Sequence, residues 1–150
     1  MTLQEQIDND IRDAMRARAA DRLGLLRMLK SAIKYAAIEG AGLDAGLSDD
    51  AVIQVIRKEI KKRQDSIESF NKGGRPELAE REAAEIEILN SYLPQPLSPE
   101  AISEIVRTAI AEAGATTRQQ MGAVMKIASV QCAGRVDGKS LSAEVQRQLV

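Results

Sequence analysis

The chain has 150 residues, with 21 Lys and Arg against 22 Asp and Glu, one cysteine (Cys132), and neither histidine nor tryptophan. Without imidazole and with a single thiol, it cannot assemble a Ser/His/Asp or Cys/His triad, a His-ligated metal site or an all-Cys zinc cluster, so neither metal nor cofactor is expected. A net charge of -1 also excludes the uniform positive field of a generic nucleic-acid binder.

Apolar residues recur at helical spacing from end to end and no segment alternates like a half-buried strand, which predicts an all-α fold. Leu3, Ile7, Ile11 and Met15 form one stripe of a first helix ending near Ala20, with Thr2 and Glu5 as its capping box. Asp21 caps a second helix with Leu25 or Leu26, Leu29, Ile33, Ala36 and Ala37 inside and Gly40 as a left-handed stop. Arg27, Lys30 and Lys34 form a cationic stripe on another side of that helix. Gly40, Gly42 and Gly46 mark a loop before Ser48, which caps a third helix carrying Val52 or Ile53, Ile56, Ile60, Ile67 and Phe70 on its buried side. Gly73-Gly74-Arg75-Pro76 turns the chain into a fourth helix with the stripe Leu78, Ile86, Leu89 and Leu93, stopped by Pro94.

Three of the four prolines fall in Pro94-Gln95-Pro96-Leu97-Ser98-Pro99, a stiff linker. It divides an N-terminal helical region, residues 1–93, from a three-helix module, residues 100–150. In that module Ser98 and Pro99 open a helix with Ile102, Ile105, Val106, Ala109 and Ile110 inside, ending at Gly114. Thr117 and Gln120 box the next, containing Met121, Val124, Met125 and Ala128; a last helix carries Leu141, Val145 and Leu149. Gly122, early in its helix, implies close approach of another helix or of a ligand backbone.

The charges are unevenly distributed. Arg57, Lys58, Lys61, Lys62 and Arg63 crowd the third helix, and Glu77, Glu80, Glu82, Glu85 and Glu87 the fourth. A hairpin of the two sets Lys58, Lys61 and Lys62 near Glu85 and Glu87, while Glu59 pairs with Arg63 at i+4. This structural pairing is favoured over a carboxylate metal site or an acid/base pair. In the last third of the chain, Gly134-Arg135-Val136-Asp137-Gly138-Lys139 combines two flexible glycines, two cations and a capping Asp before a helix, which suits either an anion contact or an ordinary interhelix turn. Three aromatics, two of them on apolar stripes, leave little for base-stacking platforms, so any nucleic acid bound should be a folded RNA read by shape and phosphate contacts, and no DNA is expected. No apolar stretch reaches the ~18 residues of a membrane span. An N-terminus holding Glu5, Asp8, Asp10 and Asp13 is unlike a secretory or transit signal, so a cytoplasmic protein without membrane partners is expected.

Glu59-Ile60-Lys61-Lys62-Arg63, Ser66-Ile67, Phe70, Gly73-Gly74-Arg75, Leu78-Ala79, Glu82, Glu85, Tyr92-Leu93-Pro94 and Leu97-Ser98 resemble the N-terminal part of the GatB/YqeY family. Met121-Gly122-Ala123-Val124-Met125 and Gly134-Arg135-Val136-Asp137-Gly138-Lys139 resemble its C-terminal signature. Order and spacing, over nearly the whole chain, make the resemblance specific to a free-standing YqeY-like protein. It implies an all-helical N-terminal region followed by a three-helix module, similar to the tail of the B subunit of tRNA-dependent amidotransferase, where the tail holds tRNA and the chemistry lies in other domains. The family is described as having carbon-nitrogen ligase activity with glutamine as amido-N donor. Cys132, without a His to activate it, cannot serve that chemistry. The expectation is a non-catalytic tRNA-binding accessory acting through Lys126, Arg135 and Lys139, extended by Lys30, Lys34, Lys58 and Lys62. Its alternatives are an adaptor for an acidic protein and an amidotransferase component active only with a separate glutaminase or kinase partner. Where the family commonly has Lys after the Met-Gly pair this chain has Ala123, with Lys126 one turn on.

Overall fold

A computed structural model describes residues 1–40 and 47–149; Gly42 and Gly46, assigned above to a loop, lie outside these. The described residues are all-α and divide into two compact units, Met1–Leu93 and Pro94–Val150.

The first unit contains α1 (Leu3–Arg16), α2 (Ala20–Gly40), α3 (Asp49–Lys72) and α4 (Pro76–Asn90). Thr2 and Glu5 form the capping box of α1, and the Ser48 hydroxyl accepts from the Ala51 N–H to cap α3. The core gathers Ile7 from α1, Leu25, Leu26, Leu29 and Ile33 from α2, Val52, Ile56 and Ile60 from α3, Leu89 from α4 and Tyr92 from the turn after it. Burying each such side chain contributes about 1.5 to 3 kcal/mol. Two contacts register the start of α1 on the start of α3: the Leu3 N–H donates to Asp49 Oδ1 at 3.0 Å, and Gln4 Nε2 donates to the Leu47 carbonyl at 2.9 Å.

Several expectations change. Met15 is exposed, and Ala14 is buried in its place. A four-residue step overshoots one helical turn by about 40°, so a stripe starting at Leu3 has left the core face by position 15. The first helix stops at Arg16 rather than near Ala20, Arg18 turns left-handed (φ 53°), and α2 begins at Ala20, ahead of Asp21. Ala17, Arg18 and Ala19 do not locally forbid a helix; the break lets α1 fold back so that Ile7 reaches α2, a tertiary gain overriding propensity. Gly40 closes α2 in helical conformation instead of supplying a left-handed stop. Ile67 and Phe70 are only half-buried, because α3 runs beyond the core toward the Gly73-Gly74 turn.

Helices α3 and α4 form an antiparallel hairpin, but its ionic contacts differ from the expected set. Lys61 pairs with Asp65 at 3.1 Å and Lys62 with Glu59 at 3.4 Å, both within α3, and Lys58 has no carboxylate partner among the described residues. Arg63 crosses instead: its Nε lies 2.7 Å from Glu85 and 3.9 Å from Glu82, while its Nη1 bonds Glu59 at 3.0 Å. Glu59 is only 7 % exposed, the one buried charged residue among those described. Burial opposes the charge on Arg63, but its hydrogen bonds to Glu85 and Glu59 outweigh that and hold the guanidinium above its ordinary value.

The second unit contains α5 (Pro99–Ala113), a 3₁₀ turn (Arg118–Gln120), α6 (Met121–Cys132) and α7 (Gly138–Gln148). Ser98 caps α5, left-handed Gly114 (φ 63°) ends it, and Asp137 caps α7 by accepting from the Ser140 N–H. Gln120 Oε1 accepts from the backbone of Thr116 at 2.7 Å and Thr117 at 3.2 Å, so the expected box closes on the 3₁₀ turn that leads into α6. Val106, Ala109, Val124, Ala128, Cys132, Leu141, Val145 and Leu149 make the core. Small residues at the helix contacts let three helices interlock without an aromatic ring.

Candidate functional site

The cations named from sequence fall into two groups, one in each unit. In the first unit, α2 turns one face wholly to solvent. Arg27, Lys30, Ser31, Lys34, Tyr35 and Ile38 are all exposed, and at 100° per residue they span an arc of about 140°. Lys30 reaches Asp8 of α1 at 2.8 Å; Arg27 and Lys34 have no carboxylate partner among the described residues. Lys30 and Lys34 also line a cleft of about 190 Å3 with Gln4, Ile7, Asp8, Ile33 and Ala37.

On the other flank of this face lies a groove of about 420 Å3 between α2 and α3. Met28, Ala32, Ala36 and Val55 give it apolar walls, and Tyr35, Glu39, Lys58, Glu59 and Lys62 bring polar groups to it. Glu59 is matched by Arg63 and Lys62, which leaves Glu39 as the carboxylate without an ionic partner among the described residues. Tyr35 is 71 % exposed. The structure therefore joins Lys58 and Lys62 to an aromatic ring that had no place in the sequence reading. Its signal was one of elimination: Phe70 and Tyr92 belong to apolar stripes and Tyr35 does not.

In the second unit the expected contact residues separate by role. Arg135 is a fastening: its Nε donates to the Gln95 carbonyl at 2.8 Å, and its own carbonyl accepts from the Leu97 N–H at 3.0 Å, which pins the Pro-rich segment to the turn before α7. That turn uses left-handed Ala133 (φ 50°) and Gly134 (φ 77°), whereas Gly138 is simply the first residue of α7. Lys126 on α6 and Lys139 on α7 are exposed, with no carboxylate partner among the described residues. Met121 and Met125 are half-buried against the core. Gly122 is exposed, and a Cβ there would meet nothing within 4 Å. This corrects one of the two expectations at that position: no other helix among the described residues approaches it closely.

Cys132, Tyr92 and Glu144 are groups with nucleophilic or acid/base chemistry whose titration the fold shifts. Cys132 is 1 % exposed inside the second core, and burial pushes its thiol up, the opposite of what a nucleophile needs. Tyr92 is buried and donates its hydroxyl hydrogen to Asp10 Oδ2 at 2.5 Å. Burial first, and that carboxylate second, push its pKa well above the ordinary 10, against a smaller opposing influence from Arg22. Glu144 is held at about 2 by hydrogen bonds from Arg147 and Gln148. Among the described residues no group of three or more Cys, Asp or Glu is placed to hold a metal ion, and no helix is long and apolar enough to cross a membrane.

The sequence pattern of Yqey-like proteins matches residues 4–149. An uncharacterized protein of Schizosaccharomyces pombe is 36 % identical over 93 residues, covering 62 % of this chain and 73 % of that protein. "Altered inheritance of mitochondria protein 41, mitochondrial" of Lachancea thermotolerans is 41 % identical over 96 residues, covering 63 % of this chain and 50 % of its own length. The protein of the same name from Pyrenophora tritici-repentis is 27 % identical over 144 residues, covering 94 % of this chain and 77 % of its own length. The match thus spans half of the Lachancea relative.

Proposed function

The chain belongs to the family of Yqey-like proteins, and on that premise we propose that it is a non-catalytic module that holds folded RNA, tRNA foremost. Its principal contact is the solvent face of α2 with the neighbouring rim of α3. One observation carries the reading: Arg27, Lys34 and Lys58 are exposed and none is used in an internal ion pair among the described residues, the first two on the solvent face of α2 and Lys58 in the groove with the exposed ring of Tyr35. Cations left unmatched in a chain of net charge -1 give a local positive surface where the total predicts none. Lys126 and Lys139 are individual exposed cations of the second unit that offer separate phosphate contacts, and Arg135 acts by shaping the turn that leads into α7 and Lys139.

No reaction step is assigned to the chain itself, since its one thiol is a core residue. A part in glutamine-dependent amidation would require a partner that supplies the nucleophile and the phosphoryl activation. The cytoplasmic setting expected above is part of the proposal; fluorescence microscopy of the tagged protein separates it from the mitochondrial setting that relatives' names record.

The test is an electrophoretic mobility shift of total tRNA at low salt. Binding that weakens steeply as salt rises is expected, with a slope of about -0.7 to -0.9 per phosphate contact for linear nucleic acids. Absence of a shift at low salt overturns the proposal. A second reading, an adaptor for an acidic protein, draws on the same unmatched cations of α2 with the exposed Ile38 on their face. Copurification of a protein that survives nuclease treatment favours it.

A further inference from the structure

We infer that the groove between α2 and α3 is a seat for one unpaired nucleotide of RNA, its base against Tyr35 and its phosphate near Lys58. The inference rests on the RNA-binding reading above and adds what that face selects.

Four features of the groove converge on this occupant. Its volume of about 420 Å3 falls in the ~300–1,000 Å3 range of small-ligand sites, which suits a nucleotide rather than a duplex. Its walls from Met28, Ala32, Ala36 and Val55 are apolar, as a base face requires. Tyr35 keeps its ring 71 % exposed, and an exposed aromatic ring offers a stacking surface that every base can use. Lys58, exposed and without a carboxylate partner among the described residues, supplies an ammonium for phosphate.

Glu39, the unmatched carboxylate of the groove, repels phosphate. It favours a base edge that donates, such as the amino group of cytosine. Glu59 carries no such weight, because Arg63 and Lys62 compensate it. Charge complementarity therefore favours a nucleotide over an acidic peptide, which would bring carboxylates toward Glu39 without a planar group for Tyr35.

The experiment compares a blunt RNA hairpin with the same hairpin carrying a short unpaired overhang, both titrated into the full chain at low salt. Tighter binding of the overhang RNA is expected. Tyr35→Ala should weaken the overhang RNA by roughly five- to 150-fold more than it weakens the blunt hairpin, so that the advantage of the overhang is lost. Tyr35→Phe, which keeps the ring, should retain the advantage, and Lys58→Gln should weaken the overhang RNA by severalfold. Because Tyr35 is exposed, these variants fold. With two tyrosines and no tryptophan in the chain, quenching of tyrosine emission by the overhang RNA, absent in Tyr35→Ala, is an independent readout. Equal binding of both RNAs, or an advantage that survives Tyr35→Ala, overturns the nucleotide seat and leaves RNA binding standing. Failure to bind either RNA overturns both. A poly-glutamate peptide that occupies the groove in a Tyr35-dependent way, with the overhang giving no advantage, overturns the seat in favour of a protein ligand.

Discussion

Tyr92 and Asp10 are 82 positions apart in the chain, and the tyrosine hydroxyl donates to the carboxylate across 2.5 Å. The bond anchors the segment after α4 onto α1, the helix that also reaches α2 through Asp8 and Lys30. Hydrogen bonds to charged groups contribute about 1.5–3 kcal/mol, so Tyr92→Phe should destabilise the protein by that amount in urea denaturation followed by circular dichroism. A raised folded-state pKa on an acid means that stability is full below the ordinary value of 10 and is lost as pH rises beyond it. Alkaline unfolding should therefore set in above pH 10 in the wild type and lose that component in Tyr92→Phe.

Arg63 sits 12 % exposed among Glu59, Glu82 and Glu85. Removing one partner of a buried pair leaves the other uncompensated, at a cost of about 3–5 kcal/mol. Arg63→Ala should lose stability on that scale, and Arg63→Ala with Glu59→Leu should recover a large part of it. Equilibrium urea titrations of both variants measure the difference.

Glu144 is held at about 2 against an ordinary 4.5, mainly by Arg147 and then by Gln148, whose Nε2 also donates to the Ser103 carbonyl at 2.9 Å. A depressed folded-state pKa contributes stability above the ordinary value, and that stability is lost as pH falls from 4.5 toward 2. In the full chain, the hydrogen-exchange protection factor at Val145, corrected for the intrinsic pH dependence of exchange, should fall over that interval, and Glu144→Gln should flatten the dependence.

Gly122→Ala adds a Cβ that meets nothing within 4 Å at a helical position. It should stabilise the protein by up to about 1 kcal/mol by restricting the unfolded chain, read as a rise in the urea midpoint. Destabilisation would mean that the glycine serves the fold in a way the surrounding space does not reveal.

Much of the fold is legible because its signals are local. Thr2 with Glu5, Ser48, Ser98 and Asp137 announce helix starts through bonds that span three residues, and Pro76 and Pro99 sit in first turns where a missing N–H costs nothing. The errors arise where distance in sequence matters. Met15 satisfied a spacing rule whose angular drift only the packed helix exposes. The burial of Glu59 depends on Arg63 and the carboxylates of α4, and Arg135 is fixed by Gln95, 40 positions away. The candidate site was half legible. Lys30, Lys34, Lys58 and Lys62 could be named, but which cations stay unmatched, and that Tyr35 shares a groove with two of them, follows only from how α2 meets α3.

The central claim is that tRNA contacts the solvent face of α2. It is tested most directly by filter binding of tRNA over a salt series, with Arg27→Gln/Lys34→Gln compared against the wild type and against Lys126→Gln/Lys139→Gln. Each lost phosphate contact should lower the log–log salt slope by about 1. The account predicts that the α2 double variant loses affinity and about two units of slope, and that it loses more than the α6/α7 double variant. An α2 double variant that binds tRNA with wild-type affinity and slope would contradict it.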